Sequence, residues 1–245
     1  MLQAVVKNDI ITLLKNEVYA LQGFKKPLNA ISYNRLGPIE AAFPNNIFPT
    51  GVIHELISPS STAAAATNGF ITGLLSGLSF SKGTCLWISN KRTVFPSSLK
   101  AFGIAPERIV FVDLIRQKDV LWAMEEALKC TALSAVIGEL SELNFIESRR
   151  LQLAVEQSHV TGFIHRYSPK TENVVACVSR WKVKPLPGAV ENGMPGVGHP
   201  RWKVELLKVR NGIPGSWNIE WVNKRFQYIE EQAPAISDPS KRKAS

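Results

Sequence analysis

Between residues 51 and 165 short apolar runs alternate with longer segments of helical character, and this alternation restricts the fold more than any other feature of the chain. Residues 51–57, 84–89, 109–112, 135–139 and 161–165 read as strands, and residues 63–78, 96–102, 120–130 and 145–157 as helices. A helix between each pair of strands carries the chain back to the starting edge, so successive strands run parallel through right-handed crossovers. The expected class is α/β, with a largely parallel central sheet flanked by helices. At 245 residues and 45% apolar, the chain has enough material for a sizeable core.

Beyond Pro169 the period changes. Residues 173–184 (NVVACVSRWKVK) and 201–209 (RWKVELLKV) alternate apolar with basic side chains, and residues 216–222 form a third candidate strand. Period two with charge on one face predicts antiparallel strands with a wet side, added at the C-terminal side of the sheet. The Gly- and Pro-containing stretch 188–199 reads as a flexible connection between the first two. At the other end, Leu2, Val6, Ile10, Leu13, Leu14 and Leu21 recur with helical spacing among Lys7, Asp9, Lys15 and Glu17, which predicts an amphipathic helix over 1–24. This helix stands outside the alternation, and its apolar stripe is a candidate surface for a partner or a second subunit. Residues 25–50 hold four prolines and read as a connector with one short helix at 37–42. The expected division is a helix and linker over 1–35, an α/β domain over 36–229 and a disordered tail over 230–245.

No segment approaches the ~18 uncharged apolar residues that a membrane span needs, and no charged start followed by an apolar run marks an export signal, so a cytoplasmic location is expected. Cys85, Cys130 and Cys177 lie 45 and 47 positions apart in apolar settings and read as buried free thiols. The four histidines show no i,i+4 pair and read as structural, so no metal is expected. The net charge of +9 is concentrated: residues 166–228 carry 11 basic and 4 acidic side chains, against 15 and 13 in residues 1–165. Such a surplus is a footprint for a polyanion or an acidic partner. Its candidate residues are Arg180, Lys182, Lys184, Arg201, Lys203, Lys208 and Arg210. Trp181 and Trp202 alternate with the cations and are expected to face the core. Arg149 and Arg150 read as an exposed helix face, and Glu126 with Lys129 as an i,i+3 surface pair.

The segment ISPSSTAAAATNGF, residues 57–70, lies between the first strand and its helix, the place of a phosphate-binding loop. A working loop reads G-x-x-x-x-G-K-[ST]: glycines let backbone N–H groups wrap the phosphate, lysine adds charge, and the hydroxyl holds Mg²⁺. Those four places hold Ser58, Ala63, Ala64 and Ala65, with Ser60, Ser61 and Thr62 between. Hydrolysis of a nucleotide is therefore not expected. Weak binding of ATP through N–H groups at the helix start is the residual alternative.

Strand, loop, helix and further parallel strands resemble the core of RecA-like ATPases. In that resemblance Lys91 takes the place of the catalytic glutamate, Arg166 that of a nucleotide-sensing glutamine, and Glu139 that of the acidic residue that orients Mg²⁺. Only residues 141–144 and 168–172 occupy the positions of the two DNA-binding loops, so filament formation on DNA is not implied. The segments FPTGVIHEL, NGFITGLLSGL, LWISN, FPSSLKAFGIAPERIVFVDL, DVLWAMEEALKC, ELSELNFIESRRLQLAVEQSHVTGFIHR and SRWKVKPLPG with GHPRWKVELLKVRNGIPGSWNIEW are together similar to the ImuA family. The resemblance spans residues 23–221 and implies a RecA-like accessory protein of damage-induced translesion synthesis. It implies work with an ImuB-like Y-family polymerase homologue, a DnaE-type error-prone polymerase and RecA, at the nucleoid, with single-stranded DNA and self-association as further contacts. The related SulA cell-division inhibitors are the alternative.

Overall fold

The computed structural model describes residues 2–21 (side chains from Ile10), 36–77, 83–188 and 198–229. One nine-stranded sheet organises residues 53–228, in the order β3-β2-β4-β5-β1-β6-β7-β8-β9. The strands are β1 (Ile53–Ser58), β2 (Thr84–Ser89), β3 (Ile109–Asp113), β4 (Leu133–Leu140), β5 (Thr161–Tyr167), β6 (Ser179–Leu186), β7 (Arg201–Val209), β8 (Gly215–Val222) and β9 (Arg225–Tyr228). β1 to β6 pair in parallel, and β7 to β9 continue the sheet antiparallel. The helices are α1 (Leu2–Leu21), α2 (Ser61–Gly77), α3 (Gln117–Leu128) and α4 (Phe145–Ser158), while 37–42 and 96–102 form 3-10 turns.

Each face of the sheet has its own core. On one, α2 covers Leu56, Trp87, Phe163, Trp181, Trp202 and Trp221; on the other, α3 and α4 bury Val120, Met124, Leu151 and Val155 against Ile53, Val136 and Ile164. The small residues of α2 have a packing reason. A Cβ at Gly73 would fall 2.5 Å from Phe226 Cζ, and one at Gly69 would fall 3.0 Å from Trp202 Cζ2. The helix thus lies directly on aromatic rings supplied by β7 and β9. α4 starts with a capping box, in which Asn144 Oδ1 accepts from the Glu147 N–H at 2.8 Å and Glu147 Oε2 accepts from the Asn144 N–H at 2.9 Å.

Several expectations need correction. Residues 173–178 are not strand, and β6 is the last parallel strand rather than the first antiparallel one, because its register is set by β1 on one side and β7 on the other. The connection after β5 runs to residue 178, beyond the expected 168–172. β9 was not expected. Cys130 is exposed in the turn after α3, whereas Cys85 and Cys177 are buried, and all three are free. The tail 230–245, linker residues 22–35, residues 189–197 and the Leu2 and Val6 side chains lie outside the described residues. No helix among the described residues is long and apolar enough to cross a membrane.

Candidate functional site

A cleft of about 950 Å³ opens at the C-terminal ends of β1, β2, β4 and β5, where open parallel sheets bind their ligands. Its borders are the first turns of α2, the segment after β2 with Asn90, Lys91 and Thr93, the Glu139 and His165 side chains, and Phe102 with Trp202. These two rings stack, with centroids 6.3 Å apart and planes 21° from parallel.

The turn that feeds α2 is short. β1 ends at Ser58 and α2 begins at Ser61, so only Pro59 and Ser60 lie between them. Positions 61–65, which would wrap a phosphate, are helical instead. Ser60 closes the first turn: its carbonyl accepts from the Ala64 N–H at 2.9 Å and its Oγ from the Ala63 N–H at 3.3 Å. Ser60 Oγ also lies 3.0 Å from Thr62 Oγ1. Ser58 faces inward, fully buried, with Oγ 2.8 Å from both Thr67 Oγ1 and His165 Nε2. A hydroxyl beside an imidazole has the form of a nucleophile and its base. Here the hydroxyl has no exposure from which to attack, and its bonds tie β1, β5 and α2 together.

Lys91 stands at the exposed rim, as its place after β2 implied. Glu139 sits deeper. Its Oε1 accepts from Trp87 Nε1–H at 2.8 Å, and burial, helped by the nearby Asp113, pushes the carboxyl up to about 7. Burial holds His165 and His54 down at about 4. His54 is fixed by a directional chain: Trp181 Nε1–H donates to Ser179 Oγ, the Ser179 hydroxyl donates to His54 Nδ1, and His54 Nε2–H donates to the Pro49 carbonyl at 3.0 Å. Among the described residues no group of three or more His, Cys, Asp or Glu side chains is placed to hold a metal ion.

These shifts act on stability in opposite directions. Neutral buried histidines bind protons less readily than they do in the unfolded chain, so they remove stability as pH falls from about 6.5 towards 4. Glu139 holds its proton more tightly than in the unfolded chain, so its carboxyl removes stability as pH rises from 4.5 to about 7. Glu139→Gln keeps a partner for Trp87 and cannot ionise. Its melting temperature relative to the parent protein is expected to rise between pH 4.5 and pH 7 and level off above; a constant difference across that range would contradict the burial of this group.

Arg166 is not at the cleft. Fully buried on the opposite face of the sheet, it donates from Nη1 to Glu55 Oε1 at 3.0 Å and from Nη2 to the Thr171 carbonyl at 2.9 Å. Arg180 Nε reaches the other oxygen, Glu55 Oε2, at 2.5 Å, and its Nη2 donates to the Asn173 carbonyl at 2.6 Å. One buried carboxylate on β1 thus holds two guanidiniums from its neighbours β5 and β6, and the same guanidiniums fasten the 168–178 connection. The signal was visible in the sequence: a lone Glu in the middle of VIHELIS needs a cation once its strand is buried.

The basic surface is more neutralised than the residue count implies. Lys182 lies 2.7 Å from Glu172, Arg201 3.0 Å from Glu220, and Lys184 and Lys203 each 3.6 Å from Glu205. Lys208 and Arg210 are exposed, and no ion pair involves them among the described residues. Trp181 and Trp202 are buried as expected, so neither ring is free to stack on a base. Arg150 pairs with Glu125 at 2.5 Å, Arg149 with Glu156 at 3.6 Å, and Glu126 with Lys129 at 2.7 Å. On α1, Ile10, Leu13, Leu14, Val18 and Leu21 are all exposed, the last by 82%.

No protein-family model matches the chain. It is 29% identical over 210 residues to protein ImuA of Caulobacter vibrioides (strain NA1000 / CB15N), an alignment covering 81% of this chain and 86% of that protein. It is also 32% identical over 93 residues to the cell division inhibitor SulA of Yersinia pestis (strain Pestoides F), covering 38% of this chain and 55% of SulA.

Proposed function

This chain belongs to the ImuA family, and we propose that it serves as a non-catalytic adaptor in damage-induced, error-prone translesion DNA synthesis. The partners in this reading are an ImuB-like Y-family polymerase homologue, a DnaE-type polymerase and RecA on damaged DNA, met in the cytoplasm at the nucleoid. The observation that carries the non-catalytic part is the two-residue turn between β1 and α2. Converging N–H groups and a lysine are what neutralise a transferring phosphoryl group, and each is worth orders of magnitude in rate. A helical first turn capped by Ser60 supplies neither. Binding then falls to surfaces: the apolar residues of α1, and the exposed cations Lys208 and Arg210, with their paired neighbours on β6 and β7.

The decisive experiment is steady-state turnover. The purified protein, with single-stranded DNA and Mg²⁺ present, is expected to release phosphate from ATP no faster than a no-protein control, and to be retained by an immobilised ImuB-like partner whether or not ATP is added. Turnover that Glu139→Gln abolishes would replace the adaptor by an ATPase. The SulA similarity supports a second reading, inhibition of cell division. Overproduction separates the two, since a division inhibitor produces filamentous cells and an adaptor of mutagenesis does not.

A further inference from the structure

The two faces of the sheet are not covered to the same width. α2 lies over one face as far as β9, whereas on the other face α3 packs against β2 and β4 and α4 against β1. Beyond β1 on that second side the outward residues of β6 to β9 are half-buried or exposed: Lys182 and Lys184 on β6, Lys203, Glu205 and Lys208 on β7, and Arg225 on β9. The register sets like charges against each other there. Lys184 stands directly opposite Lys203, and Arg180 directly opposite Lys208. Like charges in that relation destabilise an antiparallel pair, so the fold gains nothing from them. Arg180 is drawn down to Glu55, and Lys208 has no ion pair among the described residues. Glu205 faces both Lys184 and Lys203 at 3.6 Å, beyond hydrogen-bond range, with one negative charge for two positive ones. The lysines stand out from the sheet, 54% and 45% exposed, and the carboxylate is recessed at 22%. Pairs of this kind contribute little to stability and release their cations readily.

An open, cationic sheet face of this kind is complementary to a polyanion, and the placement of the rings decides which one. Trp181, Trp202, Trp221 and Phe226 all point to the other face and are buried beneath α2. A single strand is held by stacking its bases on aromatic side chains, and the outward positions of β6 to β9 carry none. A duplex keeps its bases stacked inside and presents one negative charge per ~1.7 Å of axis, so lysine and arginine tips suffice to hold it. Ser216 and Asn218 on β8, opposite Glu205 and Lys203, add the neutral donors that phosphate contacts commonly use. Positions 180 and 184 lie about 13 Å apart along β6, so the two like-charge pairs reach separate phosphates. We propose that the uncovered face of β6–β9 binds the phosphate backbone of double-stranded DNA without reading its sequence. Taking DNA as the polyanion rests on the adaptor reading; the cations and the absence of a stacking ring on this face do not.

The test is fluorescence anisotropy of the full chain with a labelled DNA duplex of arbitrary sequence and with one of its strands alone. The duplex is expected to bind at least about ten times more tightly than the single strand, and its log affinity to fall against log salt with a slope of about −3 to −4, as for roughly four neutralised phosphates. Lys184→Gln with Lys203→Gln is expected to lower that slope by about 2 and to weaken binding at least about tenfold at low salt. Both positions are exposed, so the melting temperature is expected to stay within about 2 °C. Arg116→Gln with Lys118→Gln removes the same charge from the start of α3 and is expected to leave affinity and slope unchanged. Poly-glutamate at the same concentration of charge is expected not to displace the duplex. Equal weakening by the two double variants would reduce the attraction to net charge, displacement by poly-glutamate would give the face to an acidic protein, and a single strand bound as tightly as the duplex would require a stacking site; each overturns the proposal. Absence of duplex binding overturns it too, and if that protein is still retained by the ImuB-like partner the adaptor reading stands. ATP turnover, conversely, overturns the adaptor reading and leaves the salt slope and the effect of the two lysines as they are.

Discussion

Glu55→Gln is expected to cost about 3–5 kcal/mol of stability, the range for breaking a buried ion pair on one side. For a chain of this size that lowers the melting temperature by roughly 6–20 °C. The carboxylate is fully buried on β1, and both oxygens are taken, by Arg166 from β5 and Arg180 from β6. A neutral amide leaves the fully buried Arg166 guanidinium with only the half-exposed Glu142, 3.5 Å from its Nη2, as counter-charge, so most of that cation's desolvation is no longer compensated. Thr171 and Asn173 lose ordered donors at the same time, so the 168–178 connection loosens with the strands. Arg180→Leu is expected to cost less, because Arg180 is partly exposed and Glu55 retains Arg166. A Glu55→Gln variant melting within 2 °C of the parent protein, measured by circular dichroism, would show that the ion pair is not what holds β1 to its parallel neighbours β5 and β6.

Leu13→Asp with Leu14→Asp is expected to leave the melting temperature within about 2 °C, since exposed positions contribute little to stability, yet to weaken capture of the ImuB-like partner by 100-fold or more. These leucines are 65% and 55% exposed on α1, where the described side chains of Ile10, Ile11, Val18 and Leu21 are exposed as well. Burying one such side chain against a partner contributes about 1.5–3 kcal/mol, and an aspartate placed there must be desolvated as well. Equal capture of the variant and the parent protein, measured by surface plasmon resonance, would move the interface elsewhere, with Lys208 and Arg210 as the next candidates.

Where the side-chain period was clean, the sequence was a sufficient guide. RWKVELLKV puts Trp202, Val204 and Leu206 on one face and Arg201, Lys203 and Glu205 on the other, and the structure buries the first three. β9 escaped because its turn, Asn223-Lys224, adopts positive φ at both residues, 52° and 59°, where a hairpin of this type ordinarily announces itself with Asn-Gly. The parallel pairing of β6 was hidden for a different reason. Its alternation marks a half-wet strand, and nothing in one strand's own pattern says which neighbour it joins. At the site, the missing glycines and lysine were plain in residues 58–65, but the early start of α2 was not, because serine and threonine fit a loop as well as a first helical turn. The pairing of cations with Glu205 and Glu220 depends on cross-strand register, and that of Lys182 with Glu172 on the course of the 168–178 connection, neither of which a charge count can contain.

The central claim is that this chain supports mutagenesis by binding rather than by turning over nucleotide, and damage-induced mutation frequency tests it most directly. In cells lacking the gene and exposed to ultraviolet light, the parent protein is expected to restore induced mutation. Ala65→Asp, which places a carboxylate at an exposed position where the Mg²⁺-binding hydroxyl of a phosphate loop would stand, is expected to restore it equally, and Leu13→Asp with Leu14→Asp to leave it at the uninduced level. Restoration by the α1 variant together with failure of Ala65→Asp at normal protein levels would contradict the account and return the function to a nucleotide site.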